Sequence, residues 1–341
     1  MKKCLKYNVA GGHIYMRKIL NINSKWKFIK EDVGFNKAPT ANGELVDLPH
    51  TWNNLDGQDG GDDYHRGTCF YVKEFEKPEL SNKDQVYLEF QGVNASAEVW
   101  INGKSVSYHE GGYSTFRANI TEELEERNTL VVAVDNGKND RVYPQVADFT
   151  FYGGIYRDVS LIIVSESHFT LDYYGGPGIK VTPTVKGTDA EVKIETYITG
   201  NYDEVKVTVE GVGVASGKEA IITIPDVRLW NGVKDPYLYT AKAELIVDGQ
   251  VVDAVSTRFG CRSFSVDPDK GFILNGEVYP LRGVSRHQDR KDVGNALTKD
   301  MHKEDMELIA EMGANTIRLA HYQHDQYFYD LCDEYGMVVW A

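Results

Sequence analysis

The chain has 341 residues, enough for two or three domains with substantial cores. A formal net charge of −14 argues against a nucleic-acid surface and equally against an anionic-membrane patch. Tyr is the notable excess at 21 copies, which fits β-rich packing first and sugar-facing surfaces second.

Cys4, Cys69, Cys261 and Cys332 are scattered without C-x-x-C spacing. That distribution points to a reducing compartment and away from a disulfide framework or zinc site, so a cytoplasmic location is expected. Asn8, Gly11, Gly12 and His13 interrupt any apolar segment behind the opening MKKC, so no secretory signal is expected. Met16 opens MRKILNINSKWKF as a natural start, so residues 1–16 are read as an N-terminal extension. The longest apolar run, 159–164, is too short to span a bilayer.

Residues 17–165 read as all-β. Alternating runs QVYLEFQG (85–92), SAEVWING (96–103) and TLVVAVDN (129–136) are separated by Asn-Gly and Gly-Gly turns, as in a sandwich or jelly roll. VWING followed by KSVSYHEGGY predicts a hairpin, because Asn102-Gly103 supplies positive φ angles. Two loops stand out. One, 53–67 (NNLDGQDGGDDYHRG), is Gly- and Asp-rich and reads either as mobile surface or as ligand-facing. The other, 140–158, places Asp148 among aromatic residues, where a carboxylate has three readings: it accepts sugar hydroxyls, holds an alkali cation, or caps the loop.

A second β block, 166–263, is entered through Gly175-Gly176-Pro177-Gly178. It supplies about six alternating strands, the pattern of an immunoglobulin-like sandwich. Periodicity then changes. From Gly271 the order strand, helix, strand, helix, strand predicts the opening of a parallel α/β barrel over 264–341. The first helix starts at Lys299, with Met301, Leu308, Ile309 and Met312 on one face. The second spans Gln326–Tyr335, with Tyr327, Phe328, Leu331, Cys332 and Tyr335 on one face.

Working groups of such barrels sit at the C-terminal strand ends. Arg282–Arg290 (RGVSRHQDR) is expected at the end of the first strand, with a His, a carboxylate and several guanidiniums suited to polyhydroxylated ligands. His321 and Tyr322 are expected at the end of the second. His321 and His324, three apart, do not make a metal pair without a third ligand. Glycoside hydrolysis needs two facing carboxylates, and the strand ends reached by residue 341 offer none suited to that pair.

Four separated motifs, LPHTWN, GGIYRDVSL, GFILNG…LRGVSRHQD and NTIRLAHY…YDLCDEYGMVVWA, together resemble glycoside hydrolase family 2, most of all its β-galactosidases. The resemblance covers nearly the whole chain from about residue 17. It implies a jelly-roll sugar-binding domain, an immunoglobulin-like domain and a (β/α)8 TIM barrel, present here in its first part. The implied chemistry is retaining hydrolysis of terminal β-D-galactosides. By motif, His287 and His321 resemble the histidines that contact the sugar, and Asp148 the first-domain aspartate that contacts the sugar and a bound Na+ ion. The 53–67 loop resembles a segment lining the pocket, which carries Asp62 and Arg66 as further substrate-binding residues. An Mg2+ site would need residues outside this chain. The second-strand signature departs from the family pattern: Leu319-Ala320 stand where two small residues are usual, and Gln323 where Pro is usual.

The resemblance places both catalytic glutamates beyond Ala341, so the chain is expected to be an inactive N-terminal piece, with no catalytic residue of its own. It is expected to associate through open strand edges, and the complete enzyme is expected to be a homo-oligomer. A β-glucuronidase or β-mannosidase relative shares the architecture; RHQD and the aspartate before GGIYRD favour galactosidase. Two other readings stand: a non-catalytic carbohydrate-binding or scaffold module, and a barrel completed by a second chain.

Overall fold

A computed structural model describes residues 17–58, 63–143 and 146–341. Cys4, the N-terminal extension and Asp62 lie outside the described residues.

Two antiparallel sheets face each other in the first domain. The larger runs in the order 44–46, 26–29, 68–76, 127–135, 96–101, 104–110, and the smaller in the order 18–21, 159–164, 85–90, 116–119. Alternate side chains of both turn inward, so Trp26, Phe28, Leu88, Phe90, Val132 and Leu161 meet in one core. The Asn102-Gly103 hairpin forms with φ of 50° and 82°, the left-handed pair a two-residue turn requires. Val159–Val164 is buried at every position. Its outward apolar residues Ile162 and Val164 are covered by Leu171 from the segment leading to the second domain, so the strand is buried on both faces.

The second domain is a sandwich of a three-stranded sheet (179–186, 189–196, 219–224) on a four-stranded one (213–216, 204–209, 239–247, 250–259). Val192, Ile194, Val207, Ala243 and Leu245 fill its centre. The strand Gly213–Ser216 escaped the sequence reading because only a few polar or small residues carry it. Buried Asp253 ties the domains together: it accepts from Arg17 at 2.8 Å and from the Phe169 N–H at 2.8 Å.

In the third region, strands Gly283–Arg286, Thr316–Leu319 and Val338–Trp340 pair in parallel in that order. Helices Lys299–Glu311 and Gln326–Tyr335 make the crossovers. The first barrel strand therefore lies later than the sequence reading had it. Gly271–Leu274 and Glu277–Val278 instead form an antiparallel hairpin with Phe264–Asp267. Leu274 and Tyr279 of this region pack with Trp230, and Val338 at the start of the third strand joins them.

The buried face of the first helix also differs from the expected one. His302, Met306 and Ile309 are buried, whereas Leu308 and Met312 are 56% and 66% exposed. The inward stripe is set by a polar partner, Arg286, and hydrophobic periodicity alone points to the neighbouring face. Phe328, Leu331 and Cys332 of the second helix are buried as expected. Trp340 on the last strand is 69% exposed. No helix of the described residues is long and apolar enough to cross a membrane.

Candidate functional site

Strand alternation decides which side chains of the barrel segment reach the site. Val284, Ile317 and Leu319 pack among the helices. Ser285 and Arg318 lie on the opposite face, with Arg318 Nη1 donating to Ser285 Oγ at 3.5 Å. Arg286 follows the helix-facing set and is 7% exposed. It donates to Asp305 at 2.6 and 3.0 Å and to Nδ1 of His302 and His324 at 3.1 and 3.2 Å. Its guanidinium lies 3.9 Å from the Phe328 ring centre. Arg286, counted by sequence among the groups displayed for ligand, is thus a structural cation beneath them. Burial, reinforced by the Arg286 charge, pushes His302 and His324 down to about 3, so both are neutral acceptors. His324 also bonds the Ala320 carbonyl at 3.3 Å, which commits both its nitrogens and takes it out of any pairing with His321.

The next residue beyond the strand is His287, and beyond the second strand comes His321. Their rings are 5.2 Å apart, edge to face. Phe149 from the first domain approaches them at 5.5 and 6.1 Å. Tyr322 lies 5.8 Å from His287 and stacks on Tyr113, also of the first domain, at 4.4 Å. Arg318 Nη2 donates to His321 Nδ1 at 3.1 Å, so His321 presents Nε2 to a ligand. Burial lowers the His287 pKa, while the carboxylates of Asp289 and Asp148 act against that shift. Nδ1 of His287 is enclosed without a hydrogen-bond partner among the described residues.

Asp148 is exposed and reaches His287 through its charge. Arg66 lies farther along the same aromatic wall. Its Nε–H donates to the Asn136 carbonyl at 2.8 Å, and its guanidinium covers Phe151 at 4.9 Å, a ring 5.4 Å from Phe149. Arg66, Asn94, Tyr113, Tyr143 and Phe151 line a small concavity of about 20 Å³.

The 53–67 loop is anchored at its start. Buried Asn53 accepts from the Gly153 N–H at 2.8 Å and from Asn136 at 3.1 Å, and donates to the His65 carbonyl at 2.9 Å. Among the described residues no group of three or more His, Cys, Asp and Glu side chains is arranged to hold a metal ion.

Residues that sequence reasoning missed come from GGIYRD and its surroundings. Gly153 lies so close to Trp52 that a Cβ there would stand 2.0 Å from the indole. Arg157, 5% exposed, donates to the carbonyls of Tyr113 and Gln323 at 2.9 and 2.7 Å. The motif was visible; that its arginine crosses to the barrel was not.

Two β-sandwiches feeding a parallel βαβαβ segment, with first-domain aromatic rings against the histidines at its strand ends, define a multidomain protein that opens an α/β barrel. Models of glycosyl hydrolases family 2 match each region in turn: the sugar binding domain over 58–165, a model described by the family name alone over 178–262 and the TIM barrel domain over 266–341. The chain belongs to glycoside hydrolase family 2.

It is 38% identical to a β-glucuronidase of Bacteroides fragilis over 95% of this chain and 49% of that protein. It is 31% identical to a β-galactosidase of Thermoanaerobacter pseudethanolicus over 95% of this chain and 46% of that protein. Among solved structures, an FMN-binding β-glucuronidase from Facaelibacterium prausnitzii L2-6 matches with a TM-score of 0.89 at 44% identity, covering 96% of this chain and 52% of that one. Bacteroides uniformis β-glucuronidase 2, covalently bound to cyclophellitol-6-carboxylate aziridine, matches with a TM-score of 0.86 at 33% identity, covering 95% and 42%. The chain thus spans about half the length of the relatives it matches.

Proposed function

We propose that the chain is the sugar-binding part of a retaining β-glycosidase acting on terminal β-glycosides. The observation that carries this reading is the pair His287 and His321, 5.2 Å apart on adjacent strand ends under Phe149 of the first domain. Nε2 of each imidazole would meet ring hydroxyls, and Phe149 and Tyr322 would cover apolar C–H faces of the sugar. Asp148 would accept further hydroxyls, with Arg66 lining the approach. A sodium ion there would take the Asp148 carboxylate as one ligand.

Retention requires a general acid/base and a nucleophile about 5 Å apart. The carboxylates nearest the histidines, Asp148 and Asp289, do not form such a pair. Asp148 is exposed in the first-domain loop, and Asp289 takes a hydrogen bond from Tyr152 at 3.3 Å. By the family resemblance, both catalytic glutamates belong to later barrel strands, beyond these 341 residues. The covalent adduct in the Bacteroides uniformis relative fits a nucleophilic mechanism.

For the sugar, the relatives at 38% and 44% identity are β-glucuronidases, which weighs toward β-glucuronides. β-Galactosides are the second reading, supported by RHQD, by the aspartate before GGIYRD and by the β-galactosidase relative at 31%. The scattered, buried thiols fit a cytoplasmic enzyme. The test is turnover of paired aryl β-glucuronide and β-galactoside substrates by this chain and by the full reading frame. Retaining hydrolysis by the long form alone supports the reading, and the preferred aryl glycoside assigns the sugar. Turnover by the 341 residues alone would overturn it.

A further inference from the structure

His287 and His321 sit at the tips of short strands that pair in parallel, and beside His321 the Ala320 N–H donates to the Arg286 carbonyl at 3.0 Å within the barrel segment. A second set of contacts reaches the tips from the first domain through Arg157. Arg157 Nη1 donates to the carbonyls of Gln91 and Tyr113 at 3.2 and 2.9 Å, anchoring the guanidinium to its own sandwich. Its Nη2 crosses to the barrel, donating to the Gln323 carbonyl at 2.7 Å and reaching Gln288 Oε1 at 3.5 Å. Gln288, 1% exposed, uses the same Oε1 to accept from the Asp325 N–H at 2.7 Å, and its own N–H donates to the Tyr322 hydroxyl at 3.1 Å. Asp325 lies 3.8 Å from Arg157 Nε and caps the second helix through the Tyr327 N–H at 2.8 Å. Each clamped residue is adjacent to a histidine: Gln288 follows His287, and Tyr322 follows His321.

We infer that Arg157 and Gln288 are positioning residues through which the first domain sets the separation and orientation of His287 and His321. The side chains fit that role physically. A planar guanidinium with five fixed donors can hold carbonyls of two domains at once, which an ammonium cannot do with the same geometry. Gln288 offers one acceptor shared by both loops, and its burial shields those bonds from exchange with water. The inference rests on the proposed function only in calling the two histidines sugar-facing.

The test uses the 341-residue chain and needs no turnover. Imidazole Cε1–H resonances are recorded for wild type, Arg157→Met, Arg157→Lys and Gln288→Met. In each variant the His287 and His321 signals should shift and broaden, while those of His50 and His168, packed in and beside the first sandwich, stay in place. Unchanged His287 and His321 signals in a folded variant would overturn the inference. Should Arg157→Met lose the His50 and His168 signals, Arg157→Lys and Gln288→Met decide the matter.

In the full reading frame, the same variants should lower kcat by about a hundred-fold, the scale of a 1 Å misplacement, with KM changed far less. Equal losses in kcat and thermal stability, without a kcat-against-KM split, would reduce Arg157 to a structural tie. If the wild-type full frame turns over neither aryl glycoside, the functional reading fails, and the resonance measurement still decides the positioning claim.

Discussion

Acidification probes the layer beneath the site. His302 and His324 are held at about 3, first by burial and second by the Arg286 guanidinium. That guanidinium donates to Nδ1 of each at 3.1 and 3.2 Å. A proton arriving at either Nδ1 would remove an acceptor and set two cations against each other in a space that excludes water. The ordinary value is 6.5, so each histidine resists protonation by roughly 5 kcal/mol as an upper figure, at about 1.4 kcal/mol per pH unit.

The folded-state pKa is lowered, so the unfolded chain binds more protons. Stability is fully present above 6.5 and is lost as pH falls from 6.5 toward 3. Near pH 5 each histidine should contribute a slope of about 1.4 kcal/mol per pH unit to the unfolding free energy of this region. Imidazole resonances followed from pH 8 to pH 4 give the direct assay: the two signals should stay at their neutral positions throughout. In Arg286→Met both midpoints should rise yet remain below 6.5, because burial is the larger cause and survives the substitution. A wild-type midpoint above 5 for either histidine would refute the reasoning.

Two further outcomes are expected. Gly153→Ala places a methyl group 2.0 Å from the Trp52 ring, which is 5% exposed and cannot swing into solvent. Overpacking of that order should cost about 3 kcal/mol, read as a lower urea midpoint for the first domain, and a loss below about 1 kcal/mol would contradict the packing described. Burial pushes the thiols of Cys69 and Cys332 up to about 12 and that of Cys261 up to about 11, so almost no thiolate exists at pH 8. Mass spectrometry should find these three unmodified after iodoacetamide treatment of the native chain and alkylated after urea; rapid native labelling would count against their burial.

Much of the architecture was legible in the sequence, because it follows from local periodicity. Two-residue alternation in 85–90, 96–101 and 127–135 specifies strands. Asn102-Gly103 specifies its turn, and Thr298 and Gly336 mark helix ends through cap chemistry that depends on neighbours a few residues away. His287 and His321 could be singled out for the same reason, since the end of a barrel strand is a position along the chain.

Their meeting at 5.2 Å, and Phe149 above them, were decided by tertiary structure. So was the fate of Arg286, which looks in sequence like one more cation in a polar run and in space is buried against Asp305, His302 and His324. The same holds for the first helix: Leu308 and Met312 form a regular apolar stripe, yet the inward face follows His302 and Asp305 because a buried guanidinium must be met by acceptors. Arg157 spans 166 residues to the Gln323 carbonyl. Periodicity reports which residues share a face of one element; which element that face meets depends on distant packing and on the satisfaction of buried charge.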